Sequence, residues 1–376
     1  MSAASLPTHP KAENASARAP RASNPDDLLS SFELWPPLLF YAPVATHWFW
    51  LALRHRSLTL PSLANPGLEG GGLWGESKRR SFRRLGPEGR GLLAPWISVA
   101  TNRSVGSVLA RALGRMADAG IAFPAVAKPD VGCHGAGVRL VGSPTELAEY
   151  IACFPRPARL LLQRFVPHEG EAGVFYARRP GDARGRITSL TLKYFPSVRG
   201  DGRSTLEQLI RANPRAGRMA PIYLAKYDAA ERNHVPRPGE SVRLCFVGNH
   251  CKGAIFRDGA TVVTPAMAER FDRIAREMHG FYYGRFDVRF RSLAHLQRGE
   301  GFEIIEFNGA GSEPTHIWDC ATKLPSAYAA WRSHLELAFE IGKYNQARGL
   351  QPATARDLIL LFLKQRQLMR RYPLAR

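Results

Sequence analysis

Cysteine is scarce and unpatterned in this chain: five residues, Cys133, Cys153, Cys245, Cys251 and Cys320, odd in number and forming no CxxC pair. That argues against both a disulfide framework and a structural zinc site. Acidic residues are also in deficit, 32 against 52 basic ones, which leaves a formal charge of +20. Such a field attracts anions: nucleotides, acidic substrates, anionic lipid or nucleic acid. No basic-aromatic motif or recognition helix accompanies the charge, so no nucleic-acid partner is expected.

Of long apolar runs, one stands out. Trp35 to Leu53 reads WPPLLFYAPVATHWFWLAL and holds no Asp, Glu, Lys or Arg. A bilayer needs roughly 20 such residues, so the length is close, while three prolines and His47 count against a span. Three readings stay open: a membrane span, an interfacial or partner-binding helix, and a buried core helix. Asp26, Asp27 and Glu33 precede the run and Arg54, His55 and Arg56 follow it. By the positive-inside tendency the rest of the chain is then cytoplasmic, with attachment to the inner face of the membrane as an open option. No basic n-region or signal-peptidase-like site is evident. Residues 1–30 are rich in Ala, Ser, Pro and Asn without periodicity, and 1–34 reads as a disordered leader. At 376 residues and 45% hydrophobic content the chain is long and apolar enough for two or three packed subdomains.

What is present is concentrated in two stretches. Phe281 to Asn308 reads FYYGRFDVRF, a polar interval, then GFEIIEFN. Each half alternates like a strand, with Arg285, Asp287 and Arg289 on one face of the first and Glu306 and Asn308 on one face of the second. If Ser292 to Gly301 closes a symmetric hairpin, Asp287 lies across from Glu306. Like charges so placed repel, and a cation between them relieves this. Two carboxylates and an amide oxygen are hard ligands suited to Mg2+ held together with phosphates. On this argument, neutralising either carboxylate leaves the metal-free protein as stable as before or more so.

The second stretch, Phe123 to Val141, reads FPAVAKPDVGCHGAGVRLV. An apolar run ends in Lys128, a glycine-rich turn follows with Gly132, Gly135 and Gly137, and a second apolar run resumes. Glycines admit positive φ and a close approach of backbone N–H groups to an anion, and the lysine adds a point charge for phosphate. The lysine precedes the glycines and a strand follows them, so this is neither a Walker loop nor a dinucleotide fingerprint.

Together these stretches resemble the ATP-grasp superfamily, the fold of D-alanine-D-alanine ligase, glutathione synthetase and the ligase half of cyanophycin synthetase. Two further blocks occur in the family's order: RLLLQRFVPHEGEAGVFY from Arg159 and VRGDGRSTLEQLI from Val198. The resemblance runs from about Pro124 to Trp318 and implies an α+β fold in which two subdomains grip ATP between them. It makes Lys128 a phosphate ligand under a flap carrying Gly135 and Gly137. Gln163, Phe165 and Val166 become the adenine contact, and Glu171 the ribose ligand, with Glu169 competing for that role. Arg285 becomes the catalytic arginine, and Asp287, Glu306 and Asn308 the ligands of Mg2+, with Mn2+ as the alternative ion. Arg243, Ser312, Thr315 and His316 are candidate substrate contacts, and Lys193 and Arg203 candidate partners of the phosphates.

The implied activity is a Mg-ATP-dependent ligase that joins a carboxylate to an amine through an acyl phosphate. The alternatives are an ATP-grasp kinase and a membrane-associated ATP-binding protein without ligase activity. The expected layout is the leader 1–34, a hydrophobic helix and atypical amino-terminal region over 35–100, the ATP-grasp domain over 101–325 and carboxy-terminal helices over 326–376. No alternating βαβ pattern is visible between Arg56 and Pro95. Helices are expected at Ser104–Ala119, from Ser143 through Ile151 under a Ser143–Glu146 cap, behind a Ser204–Glu207 cap, and at Pro265–His279. Two more, about Pro325–Asn345 and Ala353–Arg371, close the chain. A hairpin is expected around Gly248-Asn249.

Overall fold

The computed structural model describes residues 29–374. Most of the expected leader lies outside them, and of its described residues Leu29 and Phe32 are buried. The architecture is α+β, as the resemblance implies: the two larger of three antiparallel sheets, each backed by helices, face each other across a cleft.

The smaller sheet has the order β1 (Trp96–Ala100), β4 (Arg159–Arg164), β2 (Ala125–Pro129), β3 (Arg139–Val141). Helices α2 (Val105–Asp118) and α3 (Pro144–Cys153) cover its back. Each begins at a serine whose hydroxyl accepts a backbone N–H, Ser104 from Ser107 and Ser143 from Glu146, which satisfies one of the orphan donors of a first turn. Val99, Ala112, Tyr150, Leu160 and Leu162 form the core beneath this sheet.

The larger sheet has the order β11 (Phe302–Asn308), β10 (Tyr283–Phe290), β5 (Gly170–Ala177), β6 (Arg186–Tyr194), β9 (Ile255–Asp258). Its far face packs on α4 (Pro265–Glu277) through Phe271, Phe286, Phe302 and Phe307. The pairing of β10 with β11 puts Asp287 opposite Glu306, as the hairpin argument requires, with a bulge after Asp287.

Two expectations need correction. Gly248-Asn249 does not close a hairpin: β8 (Ser241–Arg243) pairs with β7 (Ser197–Arg199), whereas β9 adds to the edge of β6. Two long-range pairings outcompete the local one. The cap before Leu209 is Thr205 with Gln208, because the helix begins at Leu206 and Ser204 lies one residue too early, its hydroxyl donating to Asp201 at 2.7 Å. The apolar run from Trp35 forms a helix as expected, α1 (Pro37–Arg54); of the three readings open for it the span is not supported, since no helix among the described residues is long and apolar enough to cross a membrane. It lies along α5 (Leu324–Ala347), with Phe40 against Tyr328 and Trp48 against Phe339.

Residues 60–95 hold only short helical turns, as the missing alternation predicts. This segment ties the two sheets together. Ser77 and the Arg79 N–H donate to Asp130 just beyond β2, and the Ala94 N–H donates to Ile304 of β11. The last helix, α6 (Ala355–Met369), buries only Leu358 and leads to Tyr372, whose hydroxyl donates to Val131.

Candidate functional site

Between the sheets opens a cleft of about 550 Å³, within the usual range for ligand sites. The smaller sheet contributes Lys128 at the end of β2. Its ammonium donates to Gln163 Oε1 at 2.6 Å and, across the cleft, to the Ile305 carbonyl at 2.9 Å. Burial disfavours the charge and pushes this lysine down to about 8. The turn that follows is held by residues in left-handed backbone conformations, Gly135 at φ 67° and Gly137 at φ 71°. A Cβ at Gly135 would stand 2.3 Å from Val247 Cγ1, so glycine is required there for space as well as for φ.

From the larger sheet comes a block of alternating charge. Register makes Glu171 the cross-strand neighbour of both Lys193 and Arg289, and its carboxylate lies 3.2 Å from the first and 3.3 Å from the second. Lys193 also donates to Asp287 at 2.7 Å, and Arg285 donates to both oxygens of the same carboxylate at 3.2 Å. Burial by itself raises the Asp287 carboxyl; Arg285 and Lys193 outweigh it and hold it at about 2. Asn308 points its amide N–H at Asp287 Oδ2, 3.2 Å away.

The opposed carboxylates are therefore not left to repel each other. Asp287 is compensated by Lys193 and Arg285. Glu306 faces Lys78, whose Nζ lies 3.3 Å away and also donates to the Gly132 carbonyl at 2.7 Å. Burial would lower the Lys78 pKa, but Glu306 overrides it and the ammonium stays charged. For Mg2+ the donor chemistry fits: two opposed carboxylates plus an amide whose oxygen turns inward on rotation about its terminal bond. Among the described residues no three His, Cys, Asp or Glu side chains gather as a metal centre, so an ion held here would need further donors from outside this set.

Most of the residues singled out in the sequence meet at this cleft. Lys128, Gly135, Gln163, Phe165, Val166, Glu171, Arg285, Asp287, Glu306, Asn308, Ser312 and Thr315 line it, as does Lys193. Gly137 lies at the base of the turn against Pro129 and Tyr372. Of the two glutamates weighed for ribose, Glu171 is buried on the cleft and Glu169 is exposed away from it. The Val166 carbonyl already accepts from Arg289 at 2.9 Å. Three candidates sit elsewhere. Arg243 stacks on Phe195, 3.7 Å from the ring centroid; Arg203 lies exposed in the turn around Asp201; His316 shares a hydrogen bond with Ser189 at 2.6 Å, outside the cleft lining.

Sequence reasoning missed Lys78, Glu76 and Arg289. Glu76 is half-buried, accepts from Ser81 and the Gly309 N–H, and has its carboxyl pushed up by desolvation. The signal for Glu76 and Lys78 was present in GGGLWGESK, a glycine run ending in an acid and a lysine, but the expected site lay about fifty residues downstream. Arg289 was read only as a face-mate of Asp287; its pairing with Glu171 comes from the long-range register of β10 on β5.

No family model matches the chain, and neither does any curated protein. Among solved structures, a D-alanine-D-alanine ligase from Bacillus anthracis is similar at 14% identity and a TM-score of 0.42, over 75% of this chain and 71% of that one. One from Coxiella burnetii is similar at 11% identity and a TM-score of 0.37, over 77% and 61%. A bifunctional glutathione synthetase from Pasteurella multocida is similar at 15% identity and a TM-score of 0.35, over 70% of this chain; this chain spans 35% of its length.

Proposed function

We propose that this chain is an ATP-grasp enzyme, a Mg-ATP-dependent ligase that activates a carboxylate as an acyl phosphate and passes it to an amine. One observation carries the reading. Lys128, at the foot of a glycine turn on one sheet, reaches across the cleft to the strand that presents Glu306 and Asn308 opposite Arg285 and Asp287 on the other. A triphosphate between the sheets would meet a cation from each side and the metal-ligand set at once.

Phosphoryl transfer needs positioning and charge compensation more than covalent help from the protein. Lys128, Lys78 and Lys193 supply fixed positive charge along the cleft, where exclusion of water strengthens each of them. Mg2+ held by Asp287, Glu306 and Asn308 would neutralise the phosphate oxygens. Arg285, clamped by Asp287 and by the Glu313 carbonyl at 3.1 Å, holds its guanidinium still beside the acidic pair. There it can stabilise the negative oxygen that forms when the amine attacks; loss of one such donor costs about 10²- to 10³-fold in rate. Ser312 and Thr315 lie past Asn308 on the same wall, where the acceptor is expected.

The test supplies the protein with Mg-ATP and pooled amino and dicarboxylic acids, with the carboxylates labelled with heavy oxygen. The expected result is ADP, a condensed product lighter than its parts by one water, and label in the released phosphate. A phosphorylated acid or alcohol as the final product points to a kinase. Absence of ATP binding by calorimetry refutes the reading.

A further inference from the structure

Helix α1 is apolar all round, yet only one side of it is covered. Phe40, Leu51 and Ala52 are buried, and Tyr41, Val44 and Trp48 pack inward against the core. The opposite side bears Leu38, Leu39, Phe49, Trp50 and Leu53 in the open, with Leu38 89% and Leu53 79% exposed. A helix of this composition ordinarily has both sides covered, by protein or by lipid. Its tight seating on α5 excludes a span, because Phe40 and Leu51 would have to leave the core. Lipid on the outer side remains compatible with every inward contact.

We propose that the outer face of α1 is an interfacial membrane-docking surface that lies in the headgroup boundary of a bilayer containing anionic phospholipid. Charge selects this partner. No charged residue lies between Trp35 and Leu53, and the run ends at Arg54 and Arg56, which pair with no carboxylate among the described residues. The Arg54 guanidinium lies over the Trp50 ring at 5.4 Å, so an aromatic body and a cation stand together where an acyl layer gives way to phosphates. Exposed Lys343 adds its charge at the same end.

Two acidic groups packed against α1 turn inward: Glu33 pairs with Arg215 at 2.9 Å, and Glu313 accepts from Tyr41. Glu336 is exposed on the flank of the helix, where it stands 3.5 Å from His47. Thr46, the polar side chain on the open face, bonds back to the Ala42 carbonyl at 3.0 Å and needs no water. Docked this way, the first turn of α1, whose Pro37 and Tyr41 line the cleft, brings the cleft mouth close to the lipid surface.

The experiment sediments the full chain with vesicles of phosphatidylcholine alone and of phosphatidylcholine mixed with phosphatidylglycerol. Wild type is expected to pellet with the mixed vesicles and only weakly with the neutral ones. Leu38→Ser combined with Leu53→Ser removes two fully inserted side chains and should weaken binding by about tenfold or more. Arg54→Glu with Arg56→Glu should weaken binding to the anionic vesicles alone. These residues are exposed, so unchanged thermal midpoints are expected and confirm folding. Wild type left in the supernatant with both vesicle types, or the serine variant binding as tightly as wild type, overturns the proposal. So does a dimer in solution that the serine variant converts to monomer without vesicle binding, since the face is then an interface between copies. Calorimetry of Mg-ATP on the same proteins keeps this outcome separate from the ligase reading, which these substitutions leave untouched.

Discussion

Asp287 and Glu306 stand opposite each other in the β10–β11 ladder, and each is held by a lysine from a different part of the chain: Lys193 at 2.7 Å from Asp287, Lys78 at 3.3 Å from Glu306. The acidic pair is a balanced charge cluster before any metal arrives. Its expected instability without metal was an argument from two charges alone, and the structure contains at least five.

Asp287→Asn should therefore abolish turnover and also destabilise the free protein. Removing one partner of a buried ion pair leaves the other uncompensated, at a cost on the order of 3–5 kcal/mol. Lys193 keeps Glu171 and Arg285 keeps the Glu313 carbonyl, which places the expected loss at the lower end. Urea unfolding without nucleotide measures it; a midpoint equal to or above that of wild type restores the repulsion argument.

The same carboxylate has a pH signature. Its folded-state pKa, about 2, lies below the ordinary value of 3.8, so its contribution to stability is complete above pH 4 and is lost as pH falls toward 2. The gap amounts to about 2 kcal/mol. The difference in unfolding free energy between wild type and Asp287→Asn should narrow by about that much across this window. A difference that stays constant from pH 5 to pH 2 contradicts the assigned pairing.

Lys128, held at about 8 by burial, should regain its proton when phosphate arrives. Bound nucleotide raises its pKa, so ATP binding takes up protons near pH 8 and weakens as pH rises further. Calorimetry in buffers of different ionisation enthalpy should detect the uptake in wild type and not in Lys128→Met. Equal proton counts in both proteins would remove Lys128 from the phosphate site.

Gly135→Ala tests the turn. The left-handed conformation costs a non-glycine residue about 1–2 kcal/mol, and the added methyl meets Val247. Lower ATP affinity and faster hydrogen exchange over residues 131–138 are expected. Adding Val247→Ala should recover part of both losses, because it relieves the clash and leaves the backbone penalty. No recovery would show that the penalty lies in the backbone conformation alone.

Much of the site was legible because its determinants are local. Alternation placed Asp287 and Arg285 on one strand face and Glu306 and Asn308 on another, and the short interval between the strands left few registers open, so the opposition of Asp287 and Glu306 followed. The glycine turn after Lys128 and the helices over 105–118, 265–277 and 324–347 were readable for the same reason, since period and capping act within a few residues. What only the tertiary structure decided were choices between partners distant in sequence. Ser241–Arg243 left its neighbour Ile255–Asp258 for β7, and His316 turned to Ser189, outside the cleft lining, while Thr315 stayed on the cleft. Lys78, some 230 residues before Glu306, supplied a charge that pattern could not assign. Side-chain period is a property of the chain, whereas the compensation of a buried charge is a property of whichever groups the folded core brings within a few ångströms of it.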